Sequence, residues 1–278
     1  MSTGADVTPD VAVITGGASG FGLALGDRCA ARGMNVVLLD RDGTRAEHQA
    51  AALSTQYGVD TLGLRVDVAD GRSVGEAAAA VADRFVRADL VVSNVGVQLF
   101  GAVERLTDDE WRWLLDVNVV GSSRVARCFL PLLRRARHGR LAFTTSSSVL
   151  APASRMAAYQ SSKFAVWGLA ETLRLELADE GITVSVIFPS GMLSRHLETS
   201  TAAQPDPIRR PIGEEADFRA MAASNPAMMR DLASPEDAAR RVIDALLAGE
   251  HYVVTHGDLV DAVASRCSAL RRAAEIAR

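Results

Sequence analysis

Short apolar runs alternate with segments of helical pattern from Val11 onward, and this alternation constrains the fold more than any other feature of the sequence. The runs are rich in Val, Leu and Ile, which is typical of strands buried on both faces of a parallel sheet. Parallel strands need crossover connections, and the helical segments supply them. We therefore predict an α/β fold with a doubly wound parallel sheet of about seven strands and helices on both faces. The clearest runs are VAVIT, NVVLLD, TLGLRVDV, DLVVSNVG, RLAFTTS and ITVSVIFPS.

The composition indicates one globular domain. Of the 278 residues, 48% are hydrophobic and 23% are charged, which are ordinary proportions for such a protein. The length would allow two domains, but no repeat or low-complexity linker divides the chain. The net charge of -4 offers no general attraction to nucleic acid or to anionic membranes, and we expect neither as a partner.

The cysteines, the histidines and the first residues predict a soluble cytoplasmic protein that holds no metal. Cys29, Cys128 and Cys267 are far apart, so they suggest neither a disulfide framework nor a zinc site. The histidines lack the HExxH spacing of metal ligands. The opening MSTGADVTPD does not resemble a signal peptide, and no apolar run reaches the roughly 18 residues that span a bilayer.

We predict a flexible tail over residues 1–9, a single catalytic domain over 10–257 and a C-terminal helix over 258–278. The helix could pack on the domain or on a partner subunit. Residues 195–234 interrupt the alternation directly after the last apolar run, at an edge where such folds bind ligands. We interpret this insertion as a mobile substrate lid, with a surface loop of no role as the alternative. Four prolines prevent any long helix there: Pro205, Pro207, Pro211 and Pro226.

The first apolar run leads directly into the glycine-rich segment TGGASGFG, Thr15 to Gly22, and then into a helical pattern. Glycines at such a turn allow positive φ and let the backbone approach a diphosphate, whose charge is favoured by the helix N-terminus. Since the pattern follows a strand and opens a helix, we predict a dinucleotide site rather than an empty turn.

Asp40 ends the second run, eighteen residues beyond Gly22. A carboxylate there accepts hydrogen bonds from the adenosine ribose hydroxyls and repels a 2′-phosphate, which favours NAD over NADP. Ser19 stands in the glycine loop and supplies no cation to a phosphate. Arg41 argues against this choice, because its guanidinium could hold a 2′-phosphate. It could equally stack over adenine or stay solvated. NADP therefore remains the alternative cofactor.

The segment YQSSK places Tyr159 and Lys163 four residues apart on a predicted helix, so both side chains lie on one face. A fixed cation near a phenol favours the phenolate and could bring its pKa closer to neutral. Spacing alone also fits a chance pair on a solvated helix, and the context must decide.

Together these motifs make the sequence resemble the short-chain dehydrogenase/reductase family over about residues 10–257. The resemblance implies a Rossmann-like fold, a nicotinamide cofactor, hydride transfer between a secondary alcohol and a ketone, and a homotetramer or homodimer. The implied catalytic residues are Asn118, Ser146, Tyr159 and Lys163. The implied cofactor-binding residues are Thr15, Gly16, Ser19, Gly20, Phe21, Gly22, Asp40, Arg41, Asp67, Val68, Asn94, Gly96, Tyr159, Lys163, Pro189, Gly191, Met192 and Ser194.

The family pattern implies that Tyr159 is the acid/base, that Lys163 binds the nicotinamide ribose and lowers the tyrosine pKa, and that Ser146 holds the substrate oxygen. Ser146 is chosen over Ser147 because the family serine lies thirteen residues before the tyrosine. Asn118 is implied to bind, through its backbone, a water that relays protons from Lys163.

The remaining implied roles concern the cofactor. Asp67 and Val68 would address the adenine, and Asn94 and Gly96 would shape the floor near the adenosine ribose. The stretch from Pro189 to Ser194 would line the nicotinamide, with Met192 contacting its amide. The family's usual Asn-Asn-Ala-Gly is here Ser-Asn-Val-Gly, and its Pro-Gly is Pro-Ser-Gly, which changes the fine shape of the pocket.

Two further hypotheses stay open. A protein that keeps this fold as a nucleotide sensor or scaffold would usually lack the tyrosine or the lysine, which are present here. An NADP-preferring reductase would use Arg41. The substrate is expected to be a small alcohol or ketone, with an apolar ring or chain as the preferred class.

Overall fold

The structure, a computed structural model, describes residues 9–226 and 230–277. Within them, one parallel sheet has the strand order 3-2-1-4-5-6-7. Helices cover both of its faces, so the predicted doubly wound parallel sheet is confirmed. The expected tail lies almost wholly outside the described residues. The strands are β1 (Val11–Thr15), β2 (Asn35–Asp40), β3 (Thr61–Arg65), β4 (Leu90–Ser93), β5 (Arg140–Thr144), β6 (Thr183–Phe188) and β7 (Tyr252–Val254).

The principal helices form the crossover connections between strands that the sequence predicts. They are α1 (Gly20–Ala30), α2 (Gly43–Tyr57), α3 (Gly71–Phe85), α4 (Asp108–Leu115), α5 (Gly121–Leu133) and α6 (Ala157–Glu176). A π-helical turn, Asp116–Val120, joins α4 to α5. After β6 come α7 (His196–Ala203) and α8 (Glu215–Ser224), then short helices at Pro235–Ala239 and Val242–Leu247, and the C-terminal helix Val260–Ile276.

Two hydrophobic clusters sandwich the sheet, because successive side chains of a strand point to opposite faces. On β1, Val13 belongs to the cluster that also contains residues of α3, α5 and α6. Its neighbour Ile14 belongs to the cluster with α1, α2 and the helices before β7. Gly63 of β3 shows how tightly a helix seats on the sheet: a Cβ there would lie 2.4 Å from the backbone of Glu47 in α2.

The strand order reverses at β1, which pairs with β2 on one side and with β4 on the other. Crossovers from these strands run in opposite directions, which leaves a crevice at their carboxyl ends. The side chains that the sequence singles out follow those carboxyl ends. This edge of the sheet therefore assembles the candidate site.

The insertion after β6 is built from short helices, the longest of which has ten residues among the part that the structure describes. It is fastened to the domain by two buried carboxylates. Asp217 of α8 accepts from Arg105 Nη2 at 2.5 Å, and Glu110 of α4 pairs with Arg210. Asn225 Nδ2 also donates to the Ala151 carbonyl at 2.8 Å.

The C-terminal helix Val260–Ile276 buries none of its side chains. Arg266 connects it to the domain: the guanidinium donates to the Val149 carbonyl and lies 5.6 Å from the centre of the Phe164 ring. Across residues 9–226 and 230–277, no helix combines the length and the apolar character that crossing a membrane requires.

Candidate cofactor and active site

The glycine loop presents bare backbone in front of α1. Gly20 has φ +54°, and a Cβ there would meet nothing within 4 Å, so it faces open space. Ser19 makes no side-chain hydrogen bond to the first turn of α1, and that turn carries no acidic residue. The N–H groups at the start of the helix are therefore free of a side-chain cap, which fits the binding of a diphosphate.

Gly22 holds the same loop close to the helix. A Cβ at this position would lie 2.1 Å from the Gly16 carbonyl oxygen, so only glycine permits this packing. Phe21, between the two glycines, points its side chain into the hydrophobic core. Its contribution to a cofactor site would thus come from the backbone.

Asp40 is fixed at the end of β2 beside the loop. Its Oδ2 accepts from Ala18 N and its Oδ1 from Asp42 N, each at 3.1 Å. These two hydrogen bonds orient the carboxylate at the place where the sequence predicts the adenosine ribose. Arg41 points elsewhere, since its guanidinium donates to the carbonyls of Ala202 and Ala203 at 3.0 and 3.3 Å.

Thr15 ties the loops after β1 and β4 together. Its hydroxyl accepts from Asn94 N at 2.9 Å and from Val95 N at 3.1 Å, while Asn94 Nδ2 donates to the Thr15 carbonyl at 3.1 Å. The Thr144 hydroxyl, at the end of β5, donates to Asn94 Oδ1 at 3.2 Å. The floor of the crevice is therefore one hydrogen-bonded unit.

Asp67 and Val68 lie after β3 at the rim. Asp67 is exposed and accepts from Ala69 N through Oδ1 at 2.9 Å. The Val68 carbonyl accepts from Arg124 at 3.1 Å, which leaves its N–H as the backbone group that could meet an adenine.

Tyr159 and Lys163 lie in the first two turns of α6 and are both buried. The ammonium of Lys163 lies 5.8 Å from the centre of the Tyr159 ring. Burial raises the pKa of Tyr159, and a hydrogen bond with the Ser146 hydroxyl lowers it in part. The choice of Ser146 over Ser147 as the residue that holds a substrate oxygen stays a prediction.

The expected lowering of the tyrosine pKa by Lys163 does not appear in this structure. Nζ donates to the Thr144 carbonyl at 3.0 Å rather than to the phenol. Burial lowers the pKa of Lys163 itself to about 8. Gly96 makes room for this amine, because a Cβ there would lie 2.7 Å from Nζ.

Asn118 lies in the π-helical turn between α4 and α5 and is fully buried. Its amide closes a ring of hydrogen bonds with Val97: Oδ1 accepts from Val97 N at 2.8 Å and Nδ2 donates to Val97 O at 2.9 Å. Nδ2 also lies 2.9 Å from the Ser162 hydroxyl of α6. The π-turn, a feature frequent at functional sites, is thereby locked to the helix that carries Tyr159.

Comparisons with known proteins agree with this geometry. The family model described as short chain dehydrogenase matches residues 10–205. The chain belongs to the short-chain dehydrogenase family. It is 32% identical over 209 residues to D-beta-hydroxybutyrate dehydrogenase of Rhizobium meliloti strain 1021, covering 73% of this chain and 79% of that protein.

Two solved structures extend the likeness. A short chain dehydrogenase/reductase from Burkholderia phymatum, in complex with NAD, has a TM-score of 0.80 and 28% identity, covering 91% of this chain and 90% of that one. An alcohol dehydrogenase from Thermococcus sibiricus, complexed with 5-hydroxy-NADP, has a TM-score of 0.73 and 25% identity, covering 89% and 96%.

The segment from Pro189 to Ser194 closes the other side of the crevice of this short-chain dehydrogenase. The Pro189 carbonyl accepts from Ser147 N at 2.8 Å, and the Gly191 carbonyl accepts from Ala233 N at 3.1 Å. Met192 is half-buried and Ser194 is exposed. A contact to the nicotinamide amide through the Met192 backbone stays a prediction.

Two histidines to which the sequence pattern assigns no role, His196 and His256, lie at this edge. Nε2 of His256 lies 2.9 Å from the Gly191 carbonyl, and Nδ1 lies 2.8 Å from the Thr255 hydroxyl. His196 begins α7, where burial and the charge of Lys163 lower its pKa to about 4. The low pKa favours the neutral imidazole at pH 7, and the alternation of apolar runs carries no signal for this placement of His196.

Proposed function

We propose that this short-chain dehydrogenase is an NAD(P)-dependent oxidoreductase that interconverts a secondary alcohol and a ketone. The observation that carries the proposal is the burial of Tyr159 and Lys163 together, with the ammonium 5.8 Å from the centre of the phenol ring, at the crevice that holds the glycine loop. The influence of the Ser146 hydroxyl, which lowers the pKa of Tyr159, supports it. The relatives named as hydroxybutyrate and alcohol dehydrogenases support a CH-OH donor.

A nicotinamide cofactor, when bound, supplies or accepts the hydride. Tyr159 would exchange a proton with the substrate oxygen in the same event, and Ser146 would hold that oxygen by a hydrogen bond. Lys163 would donate to the nicotinamide ribose, within the space that Gly96 leaves open. With the ribose hydroxyl as its new hydrogen-bond partner, the ammonium of Lys163 would move closer to the phenol of Tyr159. The positive charge would then stabilise the phenolate form of Tyr159.

The proton released at Tyr159 needs a route to solvent. We propose that it passes through Lys163 to a water bound at the backbone of Asn118. The support is the π-helical turn Asp116–Val120, which disturbs the regular ladder of carbonyls around that residue.

NAD is the proposed cofactor, with NADP as the alternative. The support is the Asp40 carboxylate, which two backbone N–H groups hold in position and which would repel a 2′-phosphate. The remaining predicted cofactor contacts, from the glycine loop to Ser194, stand as proposals on the same basis.

The proposed substrate is a small alcohol or ketone with an apolar ring or chain. Tyr159 belongs to a hydrophobic cluster with Val97, Phe100 and Met221, which brings residues of the insertion next to the phenol. This placement supports the role of 195–234 as a substrate lid. We propose His196 of the lid as a further polar partner of the substrate; the support is the effect of the Lys163 charge on its pKa.

We also propose that the protein functions in the cytoplasm as a homodimer or homotetramer. The free thiols of Cys29, Cys128 and Cys267, the last of them exposed, suit a reducing compartment. The unburied C-terminal helix offers a surface on which a second copy of the chain could pack.

The test is Tyr159→Phe, measured with NAD and a panel of cyclic and aliphatic secondary alcohols by NADH formation. The phenylalanine keeps the ring but removes the proton donor, so turnover should fall at least a thousand-fold while NADH binding stays within about two-fold. Tyr57→Phe is the matched control, because its phenol bonds Asp27 outside the crevice.

An active Tyr159→Phe variant would overturn the assignment of the acid/base. If the wild-type protein binds NADH tightly but turns over no member of the panel, the nucleotide-sensing or scaffolding alternative is supported instead.

A further inference from the structure

Arg41 joins the cofactor crevice to the lid. It follows Asp40 directly, at the end of β2, yet its guanidinium is directed at the carboxyl end of α7 in the insertion. Nη2 donates to Ala202 O at 3.0 Å and Nη1 to Ala203 O at 3.3 Å. The bonded residues are 161 and 162 positions apart in the sequence. The two hydrogen bonds therefore depend on where the lid lies in the fold.

The chemistry of a helix end makes this pairing favourable. The last carbonyls of a helix have no partner within it, and they carry a partial negative charge. A fork of guanidinium N–H groups satisfies two of them at once. Arg41 thus serves as a side-chain cap that α7 receives from another part of the domain.

The opposite end of α7 lies toward Lys163. Its first residue is His196, whose pKa is lowered to about 4 by burial and, to a smaller extent, by the charge of Lys163. In the middle, the Ser200 hydroxyl accepts from Gln98 N at 3.2 Å. One eight-residue helix therefore spans from the residue next to Asp40 to the neighbourhood of Lys163.

We propose that Arg41 is a latch that holds α7 over the crevice, and that it selects the cofactor through this latch rather than by binding a 2′-phosphate. The proposal rests on the proposed nicotinamide site. A cofactor with a free 2′-hydroxyl leaves the guanidinium on Ala202 and Ala203. A 2′-phosphate beside Asp40 would have to displace the guanidinium from Ala202 and Ala203 in order to fit, so the binding of NADPH includes the cost of releasing α7.

The latch makes Arg41 a determinant of preference for NAD, acting in the same direction as the repulsion from Asp40. A phosphate clamp would act in the opposite direction. The two roles therefore predict opposite changes when the guanidinium is removed, and one substitution separates them.

The test compares Arg41→Ala with the wild-type protein by titration of NADH and NADPH, read by the fluorescence of the reduced nicotinamide. Arg45→Ala is the matched control: it removes the same charge one turn into α2, and its side chain makes no hydrogen bond or ion pair among the described residues. We expect the NADH Kd of Arg41→Ala to rise about two- to five-fold, from the helix-end contribution of a cation.

We also expect the ratio of the NADPH Kd to the NADH Kd to be smaller in Arg41→Ala than in the wild-type protein, because NADPH no longer has a latch to break. Binding of NADH that is unchanged by Arg41→Ala, or a ratio that widens, overturns the proposal. A selective loss of NADPH binding would show Arg41 to be a phosphate clamp.

Limited trypsin digestion of the protein without any cofactor provides a second readout. Cleavage after Arg209, in the lid, should be faster in Arg41→Ala than in Arg45→Ala, and equal rates count against the latch. This measurement does not depend on catalysis. A failure of Tyr159→Phe to abolish turnover therefore leaves the latch testable, and a failed latch leaves the acid/base assignment untouched.

Discussion

The ring of Phe100 packs edge-on against that of Tyr159, with ring centres 6.2 Å apart and planes at 82°. Phe218 of α8 packs edge-on against the same Phe100 ring at 5.6 Å. A side chain of the insertion thus reaches the proposed acid/base through a single intervening ring. The position of the lid and the orientation of the phenol are mechanically connected.

Phe218→Ala should raise the KM for an apolar substrate about five- to ten-fold and change kcat less. The substitution removes an edge-to-face contact of about 1 kcal/mol together with some apolar burial, which loosens the lid without touching the phenol. Steady-state kinetics checks this split. Phe164→Ala is the control, since Phe164 stacks on Trp167 outside the crevice and its loss should leave KM unchanged.

Asn118→Ala should destabilise the fold by about 2–4 kcal/mol and also reduce turnover. The change leaves both backbone groups of Val97 buried without partners, and each such group costs roughly 1–3 kcal/mol. Urea unfolding measures the first effect, and kcat the second. Asn35→Ala removes, within residues 9–226 and 230–277, a side-chain hydrogen bond from Asp60 N outside the site, and it should lose stability but keep kcat.

A double-mutant cycle on Glu110 and Arg210 should show strong coupling. Burial alone would raise the pKa of Glu110, but hydrogen bonds from Arg210 and Thr107 lower it overall. Arg210→Ala leaves a buried carboxylate without its cation and should cost about 2 kcal/mol, discounted because Arg210 is partly exposed. Adding Glu110→Gln should recover about half of that loss in thermal or urea unfolding. Purely additive effects would show that the pair does not fasten the lid.

Glu171→Gln should destabilise the protein by about 1 kcal/mol at pH 7, an amount reduced for partial exposure. Burial would raise the pKa of Glu171, but hydrogen bonds from Tyr252, Trp167 and His251 outweigh it and hold the pKa at about 2 against an ordinary 4.5.

Because the folded carboxyl has the lower pKa, the stability it contributes is present above pH 4.5 and is lost as the pH falls toward 2. The difference between wild-type and Glu171→Gln in urea unfolding should therefore vanish near pH 2. Glu176→Gln, an exposed site on the same helix, should show no comparable difference at either pH. A gap that persists in acid would contradict the assignment.

The strands, the glycine loop and the pairing of Tyr159 with Lys163 follow from local pattern, so the sequence predicts them well. Apolar periodicity and helix spacing act over a few residues, and the carboxyl ends of parallel strands must meet at one edge. The choice of Ser146 over Ser147 rests instead on the spacing implied by the family resemblance.

Other features depend on contacts between distant residues, which no local pattern carries. The π-turn around Asn118 adds one residue to a helical repeat and stays invisible to periodicity. Arg41 donates to the carbonyls of Ala202 and Ala203, and the charge of Lys163 affects His196. Neither interaction can be predicted without knowing where the insertion lies in the fold. That position is set by Asp217 and Glu110 on separate elements. Burial raises the pKa of Tyr159, and the spacing of Tyr159 and Lys163 along the helix carries no information about that burial.

The insertion leaves the sheet after β6 and the chain re-enters it at β7, the neighbouring strand. The glycine loop, Asp40 and the α6 pair all precede this departure along the chain. Exchanging the lid for another sequence of the same span would therefore change the surface proposed to meet a substrate, while the strands and α6, which carry the proposed cofactor and proton-transfer residues, keep their places. The residues proposed to bind the cofactor and the residues proposed to contact the substrate therefore lie in different parts of the chain. A new substrate specificity could be introduced by replacing the segment between two adjacent strands, β6 and β7.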